Sequence, residues 1–316
     1  MTHPKKAAVI DMGTNTFHLL LVELCGKKFN TLYKEKVAVK LGQGGITQNQ
    51  ITAEAEKRAL HTLGHFKNLI EGENIDQIFA FATSAVRNAT NGPEFVKKVK
   101  EELGIQIHVI SGEEEAQLIY EGIHFSGALD EHSYLMMDIG GGSVEFIIGN
   151  AQEAFWKQSF EIGGQRLLDA FHYHDPILPE EVVKLEQYCA EKLQPLLDAI
   201  ARYKPSGFVG ASGTLDTLVD MYYAGMLESK LTGQHVFDLP VVDFYQLFKL
   251  LISKNREERL QIPGMIAMRV DMIVVASCLI DFILQHLSVE SMHCSHYSLK
   301  EGAVSRMLSG EIDLHD

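Results

Sequence analysis

The sequence predicts an α/β protein built from two similar domains. A phrase at residues 9–22 returns at residues 136–149, and each copy is an apolar run, an aspartate, a short turn of small and hydroxyl residues, and a second apolar run. Strand-like and helix-like segments alternate in both halves of the chain, which is typical of α/β folds. With 316 residues and 46% apolar side chains, the chain is long enough for two hydrophobic cores.

The first half begins with a β-hairpin over residues 7–24, because two apolar runs flank a compact turn. A further strand is predicted over 29–41. The helix over 52–71 is predicted from apolar residues at helical spacing: Ala59, Leu63, Phe66 and Ile70. The apolar run at 78–83 predicts a buried strand.

Pro93 is typical of a helix start, and the run at 105–110 predicts the next strand. Ser111 and Glu114 then form a capping-box pattern, with Ser111 as N-cap and Glu114 three residues later. The helix that they begin is expected to end near Gly122.

The second copy of the pattern starts near Ser133. It predicts further strands at 153–160 and 207–210, and helices at 164–171, 179–203, 241–253, 255–261 and 264–287. We therefore divide the chain into domains 1–124 and 125–316, with the option that the last helix packs back on the first domain.

Charge and composition exclude several classes of protein. The net charge of −14 argues against nonspecific binding to nucleic acid or to acidic membranes. Residues 1–124 carry 14 Lys+Arg against 15 Asp+Glu, so most of the negative charge lies in the second domain and a polyanion is better accommodated by the first. No signal peptide is recognised, and the apolar run 272–284 is shorter than the ~20 residues of a membrane span. Together with four cysteines without C-x-x-C spacing, these features predict a soluble, cytoplasmic protein.

The repeated turns are the strongest indication of chemistry. Glycines allow backbone N–H groups to converge on an anion, and the hydroxyls add donors. The leading carboxylate is better suited to a metal ion than to phosphate. Such turns also close ordinary hairpins, but two matched copies favour a phosphate and Mg²⁺ clamp between related domains. The copies align at four positions: Asp11 with Asp138, Gly13 with Gly140, Thr16 with Ser143, and His18 with Glu145.

Three further features of the sequence are candidates for catalysis or phosphate binding. Glu115 lies one position beyond the capping box, so it is free to act as a general base, although an acidic first turn is also favoured by the helix dipole alone. Arg87 follows a buried strand, where its guanidinium suits phosphate oxygens, with a surface arginine as the alternative. Residues 210–214 follow a strand and predict a third binding loop.

These motifs occur together, in this order, in one known family, which the chain resembles: the exopolyphosphatase/guanosine-pentaphosphate phosphohydrolase (Ppx/GppA) family. The resemblance covers most of residues 7–220 and rests on the segments 11–18, 82–87, 111–116, 138–145 and 210–214. It implies two ribonuclease H-like domains of the actin, sugar kinase and Hsp70 type with a cleft between them, and hydrolysis of terminal phosphoanhydride bonds.

The resemblance also implies roles for individual residues. Glu115 matches the catalytic base, and Asp138 and Glu145 match residues around Mg²⁺ and the attacking water. The predicted phosphate-binding set combines matched and turn positions: Asp11, Asn15, Thr16, Arg87, Gly140, Gly141, Gly142, Ser143, Gly210, Ser212, Gly213 and Thr214. The resemblance further suggests a homodimer.

Three features depart from the family pattern. Gln117 stands where relatives often have arginine, the segment 295–302 is less basic than in relatives, and the helical C-terminal extension of the longer members is missing. Because that extension is linked to gripping long polyphosphate, we expect exopolyphosphatase activity on short polyphosphate first and on guanosine pentaphosphate (pppGpp) second. A kinase of the same superfamily and a nucleotide or alarmone sensor remain as alternatives.

Overall fold

The computed structural model describes residues 5–75, 77–226 and 233–312, and the chain forms two compact units. The first unit comprises Met1–Gly122 and Leu299–Asp316, and the second comprises Ile123–Ser298. The boundary drawn from the sequence at 124/125 lies two residues from this division. Residues 299–316, which that boundary assigns to the second domain, belong to the first unit.

The first unit is a sheet with helices packed against it. Its elements are β1 (Lys5–Met12), β2 (Phe17–Cys25), β3 (Lys28–Val37), α1 (Ala53–Gly72), β4 (Ile78–Ala82), α2 (Ser84–Arg87), α3 (Gly92–Leu103), β5 (Ile107–Val109) and α4 (Gly112–Ser126). Within the described residues, five strands lie in the order β3-β2-β1-β4-β5. Strand β1 runs antiparallel to β2 and parallel to β4. One core joins the sheet to the buried stripes of α1 and α3, with Phe66 and Phe95 fully buried.

The second unit repeats this arrangement. Its elements are β6 (Tyr134–Ile139), β7 (Val144–Gly149), β8 (Ala154–Phe160), α5 (Gly164–Phe171), α6 (Pro179–Lys192), α7 (Gln194–Tyr203), β9 (Gly207–Ala211), α8 (Ser212–Gly225), β10 (Val236–Pro240), α9 (Val241–Ser253), α10 (Arg256–Arg259), α11 (Met272–Leu284) and β11 (Ser291–Ser295). The described strands lie in the order β10-β11-β9-β6-β7-β8. Without the edge strand β10, this is the strand order of the first unit, so the predicted α/β fold with two similar domains is confirmed.

The chain returns to the first unit in α12 (Leu299–Ser309). A Cβ atom at Gly302 would overlap the carbonyl oxygen of Leu118 on α4, so only glycine allows this close approach of the two helices. The guanidinium of Arg306 donates to both carboxylate oxygens of Glu121, at 2.6 and 2.9 Å. Helix α12 is therefore an integral part of the first unit.

Several sequence predictions for individual elements are wrong. After residue 214 only helices were predicted, whereas this part of the chain also contains strands β10 and β11. Residues 264–271 form turns and irregular backbone instead of the start of a helix. The single helix predicted over 179–203 is two helices, because Pro195 in the first turn of α7 cannot donate the backbone hydrogen bond that would continue α6.

The apolar run 272–284 forms α11, and all of its residues are buried in the core of the second unit. Its 13 residues are too few to cross a bilayer. Across the described ranges, the structure contains no helix with the length and apolarity of a membrane span.

Candidate active site

The repeated phrase forms the same local structure in both units. In the β1–β2 hairpin, Asp11 is the register partner of His18. In the β6–β7 hairpin, Asp138 is the register partner of Glu145. Because directly opposed residues of an antiparallel pair project from the same face, each aspartate lies beside its partner. The second hairpin therefore presents two neighbouring carboxylates, whereas the first presents a carboxylate beside an imidazole.

Each turn is closed tightly at its first glycine. A Cβ atom at Gly13 would lie 3.1 Å from the carbonyl oxygen of Thr16, and one at Gly140 would lie 3.0 Å from that of Ser143. These approaches are tighter than ordinary van der Waals contact, so with a side chain at either position the facing carbonyl would have to shift by a few tenths of an ångström. The two turns thus favour glycine for the same steric reason.

The turn at residues 140–143 is held from one side by the start of α5. Three of its carbonyl oxygens accept backbone N–H groups: Gly140 from Gly164 at 2.8 Å, Gly141 from Gln165 at 2.8 Å, and Gly142 from Gly163 at 3.1 Å. In a trans peptide the N–H group points opposite to the preceding carbonyl. The N–H groups of Gly141, Gly142 and Ser143 therefore point away from α5, as three adjacent donors of the kind that bind anions.

The absence of a side chain at Gly163 allows the start of α5 to approach the turn at residues 140–143 closely enough for these hydrogen bonds. A Cβ atom there would lie 2.5 Å from the carbonyl carbons of both Gly141 and Gly142, and Arg166 adds a hydrogen bond from Nε to the Gly142 carbonyl oxygen at 2.9 Å. This supporting segment was not among the predicted site residues. The glycine pair at 163–164, between a strand and a helix, was the available signal, because paired glycines often mark close backbone approach.

The turn at residues 13–16 is supported in a similar way by the segment after β3. Gly42 donates its N–H group to the Thr14 carbonyl at 2.9 Å, and Lys40 donates to the Asn15 carbonyl at 2.8 Å. By the same peptide geometry, the N–H groups of Asn15 and Thr16 point away from this segment. The hydroxyl of Thr16 lies 3.1 Å from Nε2 of His18.

Glu115 and Arg87 form an ion pair in the first unit. The Ser111 hydroxyl accepts the N–H group of Glu114 at 3.1 Å, as the predicted N-cap requires. Glu115 follows in the first turn of α4 and is only 7% exposed. Arg87 is the last residue of the short helix α2, which follows β4. Its Nη1 donates to Glu115 Oε2 at 2.7 Å and to the Ile110 carbonyl at 3.1 Å.

These residues lie together because the parallel strands β1, β4 and β5 end at the same edge of the sheet. Backbone hydrogen bonds join the residues that follow the strands: Thr83 N–H to the Met12 carbonyl at 3.3 Å, and Ile110 N–H to the Ala82 carbonyl at 3.1 Å. Segments after the carboxyl ends of parallel strands are where α/β proteins bind ligands. The first unit thus gathers Asp11, Asn15, Thr16, Arg87 and Glu115 at one edge.

The carboxylate pair of the second unit is buried and hydrogen-bonded. Asp138 is 8% exposed and Glu145 is 1% exposed. The hydroxyl of Ser159 on β8 donates to Glu145 Oε1 at 2.7 Å, and that of Ser298 donates to Asp138 Oδ2. Two buried anions side by side repel each other, and hard oxygen donors are what Mg²⁺ prefers. The residues present therefore fit a divalent cation.

Arg269 is a buried charged residue of the second unit that was not predicted from the sequence. It precedes α11 and is 8% exposed, and among the described residues no acceptor lies within hydrogen-bonding distance of its Nε atom. Burial lowers the pKa of this guanidinium, whereas attraction to Asp216 and Asp138 raises it. No local pattern marks Arg269, because its neighbours in the sequence are apolar residues of an irregular segment.

The predicted loop at 210–214 is the junction of β9 with α8, so Ser212, Gly213 and Thr214 form the first turn of a helix. Ser212 has a φ of +77° and donates its hydroxyl to the Ile139 carbonyl at 3.2 Å. A Cβ atom at Gly210 would overlap the side chain of Leu215, which gives this glycine a packing role. A helix N-terminus remains a suitable place for an anion.

The predicted residues thus fall into two sets, one in each unit. The set in the second unit lies where the parallel strands β6 and β9 end, because Asp138 is the register partner of Ala211. It contains Asp138, Gly140, Gly141, Gly142, Ser143, Glu145, Gly210, Ser212, Gly213 and Thr214. Both sets combine a glycine-containing hairpin turn with charged side chains at the carboxyl end of a sheet.

Two α/β units with the same strand order, each carrying such a turn between its first two strands, define a protein of the actin-like, ribonuclease H-type class. Residues 21–311 match the model of the Ppx/GppA phosphatase family, and the chain belongs to this family. The resemblance recognised in the sequence is confirmed, and with it the assignment of the chain as a phosphoanhydride hydrolase.

Solved structures agree with this assignment. An exopolyphosphatase from Cytophaga hutchinsonii is 45% identical over 99% of this chain and 100% of its own, with a TM-score of 0.95. A Ppx/GppA family member from Aquifex aeolicus is 23% identical over 98% of this chain and 99% of its own, with a TM-score of 0.80. At that identity the second likeness shows the fold alone.

Proposed function

We propose that this chain is a Mg²⁺-dependent exopolyphosphatase that releases phosphate from the end of inorganic polyphosphate. The observation that carries the choice of substrate is the likeness to the Cytophaga hutchinsonii exopolyphosphatase over the full length of both chains. The site chemistry supports it, because adjacent N–H donors and arginines recognise phosphate oxygens without requiring a base or a sugar.

In this proposal Glu115 is the general base. Its carboxylate takes a proton from water as the water oxygen forms a bond to the terminal phosphorus, and the bond to the bridging oxygen breaks. The shortened polyphosphate leaves with the electron pair of that bond. Burial and the contact with Arg87 hold the carboxylate in a fixed direction, which favours the proton transfer.

The remaining residues neutralise charge on the phosphoryl group. Arg87 would donate to its oxygens, and backbone N–H groups of a glycine-containing turn are donors of the same kind. Within the second unit, the buried guanidinium of Arg269 would add positive charge beside Asp138. Asp138 and Glu145 would hold Mg²⁺. When bound, this ion would supply further charge neutralisation at the phosphate oxygens.

Hydrolysis of pppGpp is the second candidate, because the family name covers both activities. Because the chain belongs to a phosphatase family, hydrolysis of polyphosphate or of pppGpp is favoured over a kinase or a sensor function. We further propose that the protein is cytoplasmic, binds neither nucleic acid nor membranes, and forms a homodimer.

The experiment is phosphate release with Mg²⁺ from short polyphosphate, long polyphosphate and pppGpp, measured side by side. We expect fastest release from short polyphosphate. Faster release from pppGpp would move the function to alarmone turnover. Absence of release from all three substrates would contradict the proposal, and nucleotide binding by such an inactive protein would then favour a sensor.

A further inference from the structure

Two serine hydroxyls contact the predicted metal-binding carboxylates, one hydroxyl for each carboxylate. Ser159 lies on β8, the strand next to Glu145, and is the register partner of that residue. Ser298 is 160 residues from Asp138 in sequence, and it is the last residue of the second unit, immediately before α12. Only the fold brings Ser298 to this carboxylate.

We propose that Ser298 is a positioning residue for Asp138, an inference that rests on the proposed Mg²⁺ site. A carboxylate that accepts a hydroxyl through Oδ2 turns less freely about its Cβ–Cγ bond, so the direction of Oδ1 is fixed as well. Hydrogen bonds from outside the coordination shell are a general means of orienting metal ligands. Here the hydroxyl comes from a residue that would not itself contact the ion.

The orientation of the Asp138 carboxylate matters for cation binding because this carboxylate is buried beside another one. Asp138 is 8% exposed and its register partner Glu145 is 1% exposed, so water contributes little to solvating either charge. A hydroxyl donor to each carboxylate offsets part of the cost of placing two like charges together. Without Ser298, the Asp138 carboxylate would lose this donor and gain rotational freedom, and both changes weaken binding of a cation.

Ser298 also occupies the N-cap position of α12, since the helix begins at Leu299. A serine there stabilises a helix by accepting a backbone N–H group, whatever its role toward Asp138. Three substitutions separate the two functions. Ser298→Ala removes both, Ser298→Gly retains most of the capping stability but has no hydroxyl, and Ser298→Thr retains both.

The test is Mg²⁺ binding to the intact protein by isothermal titration calorimetry without substrate, with the thermal midpoint recorded in the absence of Mg²⁺. We expect Ser298→Ala and Ser298→Gly to weaken Mg²⁺ binding by roughly tenfold, and Ser298→Thr to stay within about threefold of wild type. Ser309→Ala, which removes an exposed hydroxyl from the last turn of α12, is the matched control and should bind Mg²⁺ as wild type does.

Other outcomes separate this inference from the proposed function. If Ser298→Ala lowers the thermal midpoint but binds Mg²⁺ like wild type, Ser298 is only a helix cap and the inference is wrong. If the wild-type protein binds no Mg²⁺, the metal site and this inference both fail. If wild type binds Mg²⁺, the variants weaken that binding, and no polyphosphate is hydrolysed, the inference stands while the proposed function fails.

Discussion

Nη1 of Arg87 lies 2.7 Å from Oε2 of Glu115, so the predicted phosphate-binding cation and the predicted base are in direct contact. Both side chains are largely buried. A charge-assisted hydrogen bond in such surroundings is short and strong. In the absence of substrate, these two residues therefore hold each other in place.

Glu115→Gln tests the base. Glutamine keeps the size of the side chain and an oxygen that accepts from Arg87, but it takes up no proton at neutral pH. We expect kcat for polyphosphate to fall by about 10²–10⁴-fold, measured by phosphate release. Glu114→Gln changes the exposed neighbour and should retain wild-type turnover. Retention of most activity in Glu115→Gln would show that another group activates the water.

Arg87→Lys tests the guanidinium. Arg87 donates through Nη1 to Glu115 and to the Ile110 carbonyl, and a lysine ammonium lacks the planar fork needed to serve these acceptors and a phosphate together. We expect kcat/KM to fall by roughly 10–100-fold, the equivalent of one hydrogen bond to a charged group. Arg202→Lys on the exposed face of α7 is the control, and an equal loss in both variants would contradict the assignment.

Removal of the metal tests the carboxylate pair. We expect a chelator to abolish phosphate release and added Mg²⁺ to restore it. Glu145→Gln should raise the Mg²⁺ concentration at half-maximal rate by at least roughly tenfold, because a charged ligand is lost. Glu153→Gln removes an exposed acidic group of the same unit and should leave this concentration unchanged. Full activity in chelator would contradict the proposed metal dependence.

Gly163→Ala tests whether close approach of residue 163 supports the turn at residues 140–143. The new Cβ atom would lie 2.5 Å from the backbone of Gly141 and Gly142, so the turn must shift and its N–H groups lose their alignment. We expect kcat/KM to fall by about 10–100-fold, as catalytic groups displaced by about 1 Å do. Gly164→Ala, whose Cβ atom would approach only to 3.7 Å of Met272 Sδ, should retain most activity. Similar losses in both variants would disprove the steric argument.

His172 should make the stability of the protein depend on pH. Burial lowers the pKa of His172 below its ordinary value of 6.5, and Arg259 lowers it further, against attraction by Asp175. The unfolded chain therefore takes up a proton before the folded chain does, so stability is lost as pH falls below about 6.5 toward the folded pKa. The slope for one proton is at most about 1.4 kcal/mol per pH unit.

The comparison is His172→Gln against wild type in denaturant unfolding at several pH values. The difference in unfolding free energy between the two proteins should shift in favour of the variant as pH falls through this window. A difference that stays constant with pH would mean that His172 has the same pKa in both states.

The sequence was sufficient for the features that depend on local pattern. The repeated turns, the capping by Ser111 and the helix of residues 53–72 follow from neighbouring residues, and the structure contains all three. The last two strands were missed because β10 and β11 are five residues each and lack a long apolar alternation. They are strands because β11 pairs with β9 and β10 pairs with β11.

The candidate site was predictable only in part, for a related physical reason. Glu115 and Arg87 are separated by 28 residues, yet each follows a strand, so their convergence at one edge could be inferred. Ser298 follows β11, a strand that was not predicted, and Arg269 follows no strand, so neither could be placed near Asp138 from the sequence. The division of α6 from α7 was predictable, because Pro195 in the first turn of α7 is a local signal for a helix start.

The return of α12 to the first unit makes that unit discontinuous along the chain. A fragment ending at residue 122 would leave uncovered the surface of α4 where Gly302 and Arg306 pack against Leu118 and Glu121. Truncation before residue 299 would therefore damage the N-terminal part of the protein rather than trim its C-terminus. A single-chain version of the first unit would need a linker from residue 122 to residue 299, and a C-terminal fusion partner would be attached to the unit that carries Glu115.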